Sequence, residues 1–375
     1  MDNIHESKAF LETTFRPRDW VIQKIESMIE KLLSNIANGS PPVLQTVSNV
    51  KRRECHTEYD VQSGTLRRKS NNFKDVSFLK NPRGFAIIIR ILDICHELLI
   101  HDVTATKRDI YYKDVRLFGN QHTVDAAIDE LACLFRVPRA CLNVTASAKG
   151  LVAGALKIIQ KDKTILDCQS LNNQGILIPT DQIDRVETNA EFVLVVEKEA
   201  TFQYLLSSRI FEKFGPCIII TGKGYPDLAT RQLVKILGDL RHSNNLINSF
   251  ETIPILGFFD NDPYGIEILS VYKFGSTAMS FDNENLATPI IKWLGLHCAD
   301  WQKYNISKNT LLPLTSADRK KAYQLLQREY FQDEWRNEIC RMLYMEKKAE
   351  MQSLCENDDI LNYLMMKFKC PNSWL

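Results

Sequence analysis

Three short apolar runs in the second half of the chain, residues 191–196, 217–221 and 253–259, alternate with stretches of helical periodicity at 201–214, 228–240 and 265–272. Val, Ile, Leu and Phe dominate each run without a polar alternation, so neither face of such a strand is polar. A strand that is apolar on both faces needs cover on both, and helices alternating with strands supply it in a parallel sheet. The pattern therefore predicts an α/β fold for this half. From Ser316 onward the chain is expected to be helical, and no internal repeat is visible.

Composition sets the wider frame. The 375 residues are 45% hydrophobic and 25% charged, which suits a soluble protein of ordinary cores and has room for two domains. The formal net charge is +1, so the chain as a whole is no polycation. Any nucleic-acid surface must come from local clusters such as Lys51-Arg52-Arg53, Arg67-Arg68-Lys69 and Lys107-Arg108; for the first two, a solvated mobile arm is an equal alternative. The ten cysteines form no Cys-x-x-Cys pair and no zinc spacing with histidine, and no signal peptide precedes them. They are expected to be reduced thiols of a cytosolic or nuclear protein. The best apolar run, 85–92, is broken by Arg90 and is too short for a bilayer, so no membrane association is expected. The sequons at Asn143 and Asn305 are chance matches in such a compartment.

Near the start, Val21, Ile25, Met28, Ile29, Leu32, Leu33 and Ile36 recur at three- and four-residue steps, predicting an amphipathic helix over 18–37 that Asn38-Gly39-Ser40-Pro41-Pro42 stops. The next forty residues are polar, basic and turn-rich and are read as loop or linker. The helix must dock on a later domain or on another protein, and the second is favoured because a helix behind a linker is a common partner handle. From Pro82 three helices follow: 85–99, one capped by Thr104 or Thr106 and running to about Phe118, and 124–135, capped by Thr123 and ended before Pro138. An extended run at 142–145 and then Lys149-Gly150 offer a wing. Three helices and a small hairpin outline a helix-turn-helix or winged-helix module.

Ligands of a parallel α/β sheet collect beyond the carboxyl ends of its strands. The first apolar run leads into Glu197-Lys198-Glu199 and the third into Asp260-Asn261-Asp262-Pro263-Tyr264-Gly265. Asp260 and Asp262, two apart, point the same way in an extended segment. An Asp-x-Asp before Pro-x-Gly by itself is often turn chemistry. Joined to a glutamate ending another strand of the same sheet, it is better read as a metal site, and carboxylates without histidine or cysteine favour magnesium over zinc. The loop Thr221-Gly222-Lys223-Gly224-Tyr225-Pro226 lacks the spacing of a phosphate-binding loop and is read as a tight turn, with Lys223 available to a DNA phosphate; no ATP site is visible.

A nucleophile is sought in Lys107-Arg108-Asp109-Ile110-Tyr111-Tyr112. With about 100° of rotation per residue over 106–118, Ile110, Tyr111, Val115, Leu117 and Phe118 share one face. Tyr112 lies opposite, with Arg108 and Arg116 four residues to either side. Tyr111 is thus the core tyrosine and Tyr112 the available one. A phenol with a pKa of about 10 is a poor nucleophile at neutral pH, and adjacent cations favour the phenolate and offset charge on phosphate oxygens. Adjacent tyrosines more often simply pack, and the pattern alone leaves both roles open.

Arg108-Asp109-Ile110-Tyr111-Tyr112, Val195-Val196-Glu197-Lys198-Glu199 and Phe259-Asp260-Asn261-Asp262-Pro263-Tyr264-Gly265 stand in the order found in the topoisomerase VI A-subunit family, and most resemble its eukaryotic branch, the meiotic double-strand-break proteins of the sporulation class. The resemblance runs from Pro82 to the C-terminus. It implies an α/β chain in which a winged-helix (CAP-like) DNA-binding domain at 81–165 bears the catalytic Tyr112 and its supporting Arg108. A Toprim domain with a parallel sheet and C-terminal helices follows at 166–375, holding Mg2+ on Glu197, Asp260 and Asp262. Residues 1–80, the helix and linker, remain a candidate for binding a partner, and Lys107, Arg116 and Lys223 are candidate DNA contacts.

The implied reaction is transesterification of double-stranded DNA: Tyr112 attacks a backbone phosphate, releases a 3′ hydroxyl and stays linked to the 5′ phosphate. Two strands need a homodimer, each tyrosine acting with the metal site of the other protomer. ATP binding would come in trans from a topoisomerase VI B-like subunit. Other meiotic accessory proteins would join it, on chromosomes in the nucleus. The rival expectations are another Toprim enzyme, a hydrolytic nuclease or primase-like protein, and a DNA-binding scaffold without catalysis.

Overall fold

Strands that are buried along their whole length form the centre of the larger of two compact units. The computed structural model describes residues 13–47, 57–69, 73–169, 174–180, 183–243, 250–304, 306–307, 309–354 and 359–375. One unit comprises 1–147 and 275–285, the other 148–274 and 286–375. The expected boundary after residue 165 falls inside the second unit, at the strand Ile165–Asp167. The basic cluster Lys51-Arg52-Arg53 and the Asn305 sequon lie outside the described residues.

In the second unit Cys217–Thr221, Phe192–Val196, Ile255–Phe258 and Lys292–Gly295 run parallel in that spatial order. The sheet is not wholly parallel: Leu151–Gly154 and then Ile176–Leu177 extend one edge antiparallel. The chain leaves Phe192–Val196 to build its neighbour on one side and then crosses to build Ile255–Phe258 on the other. The ends of these two adjacent strands form the switch point where ligands of open α/β sheets bind. Phe202 and Leu205, Leu233 and Leu237, and Ile266 and Leu269 are the buried faces of the helices Glu199–Ser207, Leu228–Asp239 and Pro263–Phe274. The C-terminal helix Asp359–Phe368 sets Tyr363 on Phe258 and Phe368 on Phe192, ring centroids 5.7 and 4.7 Å apart. The expected helix over 201–214 is broken at Arg209, whose φ of 55° is left-handed.

In the first unit Asn81 caps the helix Pro82–Ile100, its side chain accepting from Gly84 N, with proline at the first position, where its missing N–H costs nothing. The third helix runs Gln121–Phe135 and its cap is Asn120, not Thr123: Asn120 Oδ1 accepts from Thr123 N at 3.0 Å. That helix is covered over most of its surface; His122 is its one exposed residue. The segment read as a wing does not form a hairpin of its own. Val144–Thr145 pairs in parallel with Ala105–Thr106, and the chain after Lys149-Gly150 enters the sheet of the second unit as Leu151–Gly154.

The first helix, Arg18–Ala37, is not a free handle. Val21, Ile22 and Ile25 are buried in one core with Ile91, Leu92, Cys95 and Leu99, while Leu33 and Ile36 stay exposed. Nor are the residues after it a linker: Val43–Val47 pairs antiparallel with Phe73–Ser77, and Thr57–Asp60 with Thr65–Arg68. The Arg67-Arg68-Lys69 cluster is neither a mobile arm nor a bare basic patch. Arg68 is buried, Arg67 pairs with Asp60 at 3.2 Å and Glu284 at 3.1 Å, and Lys69 pairs with Glu58. No helix among the described residues is long and apolar enough to cross a membrane, and the described cysteines are free thiols.

Because Ile25 is 2% exposed, Ile25→Ala is expected to lower unfolding free energy by about 2–5 kcal/mol. Leu33→Ala, on the exposed face of the same helix, should stay within about 0.5 kcal/mol. Urea denaturation of the two variants checks both.

Candidate active site

The tyrosine element is short and firmly anchored. Thr106 caps the helix Lys107–Lys113 in a reciprocal box: Thr106 Oγ1 accepts from Asp109 N at 3.2 Å, and Asp109 Oδ2 accepts from Thr106 N at 2.9 Å. Ile110 is fully buried and Tyr111 packs on the same core, which leaves Tyr112 64% exposed. The two tyrosine rings lie 5.4 Å apart at 52°. Arg108 is exposed, one helical turn before Tyr112, with no ion pair or hydrogen bond among the described residues. This arrangement meets the expectation from the helical face for Tyr111, Tyr112 and Arg108.

Beyond Lys113 the geometry differs from the sequence reading. Asp114 leaves the helical region and accepts from Leu117 N at 3.1 Å, starting a separate turn, Val115–Phe118. Val115, expected in the core, is 43% exposed. Arg116 is exposed but no longer stands one continuous helical turn after Tyr112. Lys107 is corrected more strongly: its Nζ lies 2.5 Å from Asp129 Oδ1 and donates to Asp125 O at 3.2 Å. Burial draws the ammonium pKa down and Asp129 opposes this. Its charge is committed to Asp129 inside the unit.

The acids of the second unit meet at the switch point. Glu197 follows Phe192–Val196 and Asp260 lies just beyond Ile255–Phe258, and Glu197 Oε2 accepts from Asp260 N at 3.0 Å. Glu197 is 8% and Asp260 3% exposed. Asp262 is partly covered and does both things the sequence left open: it belongs to this acidic group, and its Oδ1 also caps the helix Pro263–Phe274 by accepting from Gly265 N at 2.6 Å. A Cβ on Gly265 would meet Asp260 O at 2.4 Å and Glu197 Oε2 at 3.1 Å, so only glycine lets this helix begin against the acids. The positive end of the helix dipole then faces negative charge.

Burial, first, and the neighbouring Asp260 and Asp262 push the Glu197 carboxyl from 4.5 to about 8. Burial raises Asp260 from 3.8 to about 6 against the Lys198 ammonium, and raises Asp262 against the Gly265 N–H and Lys348. Lys198 Nζ sits 2.6 Å from Asp260 Oδ2. The donors are all carboxylate oxygens whose mutual repulsion favours added positive charge, so the set fits a hard divalent cation. Among the described residues no three His, Cys, Asp or Glu side chains converge as a ready-made cage.

Two parts of this site escaped the sequence reading. Lys198 stood inside a quoted motif without a role. The segment 347–352 lies far along the chain, yet Ala349 bridges Asn261, with N–H to O distances of 2.9 and 3.2 Å, and Met351 N donates to Asp260 Oδ1 at 2.8 Å. No spacing in the sequence signals that pairing. The 221–226 turn is as expected, with Lys223 at φ 52° and Gly224 at φ 85°. Lys223 Nζ pairs with Glu199 at 2.9 Å, so contact with a phosphate would have to compete with that bond.

The sheet bears acids at its switch point and the first unit bears an exposed tyrosine on a capped helix; comparison with known proteins puts the chain among DNA-cleaving enzymes. Residues 192–368 match the family model of the Toprim domain of the topoisomerase 6 A-subunit/Spo11 proteins, and residues 83–144 match that of type IIB DNA topoisomerase. The chain is 39% identical over 346 residues to the meiotic recombination protein SPO11 of Mus musculus, covering 89% of this chain and 83% of that one. It is 37% identical over 343 residues to the Homo sapiens protein of the same name, with the same coverage. It is 34% identical over 336 residues to the DNA topoisomerase 6 A-subunit of Arabidopsis thaliana, covering 88% and 75%. The chain belongs to the topoisomerase 6 A-subunit/Spo11 family. Toprim domains generally bind divalent metal ions.

The raised Glu197 carboxyl predicts the pH dependence of the chain in chelator. The folded state holds a proton there between 4.5 and about 8, which the unfolded chain gives up. The penalty is absent below that window, grows as pH rises and is complete above it. Melting temperature in EDTA is expected to fall from pH of about 5 to about 8, and to fall less in Glu197→Gln; an equal fall in both would contradict this origin.

Proposed function

We propose that this chain forms DNA double-strand breaks in meiosis by topoisomerase-like transesterification, starting recombination. The observation that carries the reading is that one chain bears both an exposed Tyr112, one turn from Arg108 on a capped helix, and the acids Glu197, Asp260 and Asp262, the first two buried, at the switch point of a Toprim domain. Tyr112 Oη attacks phosphorus; the phenolic proton is lost, the 3′ oxygen leaves and takes up a proton, and a 5′ phosphotyrosyl bond replaces the phosphodiester. Arg108, one turn from Tyr112 on the same exposed face, is available to neutralise charge on the reacting phosphate. Glu197, Asp260 and Asp262 would hold the divalent cation, Mg2+ in this reading. When bound, that ion supplies positive charge beside the reacting phosphate.

One tyrosine cuts one strand, so the reading requires two copies of the chain, each tyrosine acting with the acids of the other. It treats the first unit as a winged-helix-type DNA-binding module whose contact with DNA centres on the Tyr112 helix, since the Gln121–Phe135 helix is mostly covered. It places the work on chromosomes in the nucleus, with further meiotic proteins and a topoisomerase VI B-like subunit in trans.

Tyr112→Phe is expected to abolish covalent protein–DNA adducts. Tyr111→Phe should keep most activity, because that ring packs on the core. Arg108→Ala should slow cleavage by roughly 10²–10³-fold, the usual cost of a lost oxyanion partner. Recovery of adducts and mass spectrometry of the linked residue test all three. Cleavage by Tyr112→Phe would mark a hydrolytic Toprim enzyme, and breaks supported by Asp260→Ala would mark a scaffold.

A further inference from the structure

Lys198 is the cation already present at the acids, and its ammonium spans two seats at once, Asp260 on one side and Glu350 with Gln352 on the other. Its Nζ lies 2.6 Å from Asp260 Oδ2, 3.0 Å from Glu350 Oε2 and 2.9 Å from Gln352 Oε1. Asp260 Oδ1 is taken by Met351 N at 2.8 Å, so Oδ2 is the oxygen on which a second cation would compete with the ammonium. Two positive groups on one carboxylate oxygen repel strongly in a site shielded from water. The other seat lies nearer solvent: the Glu350 side chain is 40% exposed, that of Asp260 4%. Both Glu350 and Gln352 belong to the segment that Ala349 fixes against Asn261, so this seat is held beside the acids by backbone hydrogen bonds.

We propose that Lys198 is an exchangeable internal counter-ion: it neutralises Asp260 when no metal is bound, and withdraws from Asp260 while keeping Glu350 and Gln352 when a divalent cation takes Asp260. Lys198 is thus a positioning residue that sets how tightly the acids hold the cation, and Glu350 acts through it. The idea rests on the metal reading of Glu197, Asp260 and Asp262 given above.

The test is Mn2+ binding to the purified full chain, followed by the electron paramagnetic resonance of free Mn2+. An opposite charge beside a carboxylate alters its affinity for a cation by about one to three powers of ten. Lys198→Met and the polar neutral Lys198→Gln are therefore each expected to bind Mn2+ at least about tenfold more tightly than wild type. Unchanged or weaker binding in both overturns the proposal, as does failure of both to fold in saturating Mn2+, since the ammonium would then be a fixed part of the structure. Glu350→Gln should weaken binding in the wild-type background and have no effect in Lys198→Met, a coupling that a double-mutant cycle reads directly. Equal weakening in both backgrounds would make Glu350 a ligand or a distant charge and overturn its role as a seat. Should Glu197→Gln and Asp260→Asn bind Mn2+ as well as wild type, the metal reading itself fails, an outcome distinct from the others.

Discussion

Repulsion among carboxylates buried at one end of a parallel sheet is the constraint on which the second unit is built. Glu197 and Asp260 end neighbouring strands, and the register that pairs Val196 with Phe258 brings them together. Burial and proximity raise both carboxyls, so the fold holds charge that it cannot relieve alone. Much of the surrounding architecture offsets that charge. The helix Pro263–Phe274 points its N-terminus at the group, Gly265 lets it approach, and Met351 N donates to Asp260. Lys198 and Lys348 add cations at its edge, the latter held by Asp318 at 3.0 Å. A site arranged in this way suits cation binding far better than it suits an apolar ligand.

The first unit solves a different problem, the fixed presentation of one exposed tyrosine. Exposure alone would leave a tyrosine mobile. Here the helix that carries it is only Lys107–Lys113, too short to be stable by propensity. It is held by the Thr106–Asp109 box at its start, by Ile110 and Tyr111 in the core, and by Lys107 on the buried Asp129. These anchors fix the backbone while leaving Arg108 and Tyr112 outside. The Arg18–Ala37 helix adds to the same core, so the N-terminal segment supports the unit that displays the tyrosine.

Much of this was legible in the residues. Continuous apolar runs gave the central strands to within a few positions, because a strand buried on both faces tolerates no polar interruption. The exposure of Tyr112 and Arg108 followed from helical rotation, and the placement of Glu197 and Asp260 from their position after strands. The strands at Val43–Val47 and Phe73–Ser77 were not legible: each is about half polar, and each exists through hydrogen bonds to the other across the 25 intervening residues of chain. The breaks at Asp114 and Arg209 were hidden for another reason. Apolar periodicity continues through them, whereas the backbone turns on a side-chain cap in one case and a left-handed residue in the other.

The sequence by itself determined which residues are candidates for the chemistry, since nucleophile, cation partners and acids are properties of side-chain type and of local spacing along one element. Tertiary structure alone decided their state. It chose Lys107 for an internal ion pair and Arg108 for exposure, though both are cations in one turn, because Asp129 from another helix reaches only the first. It also brought 347–352 onto Asp260 and gave Lys198 two acidic neighbours, since long-range backbone pairing is specified by the packing of whole elements and leaves no local pattern to read.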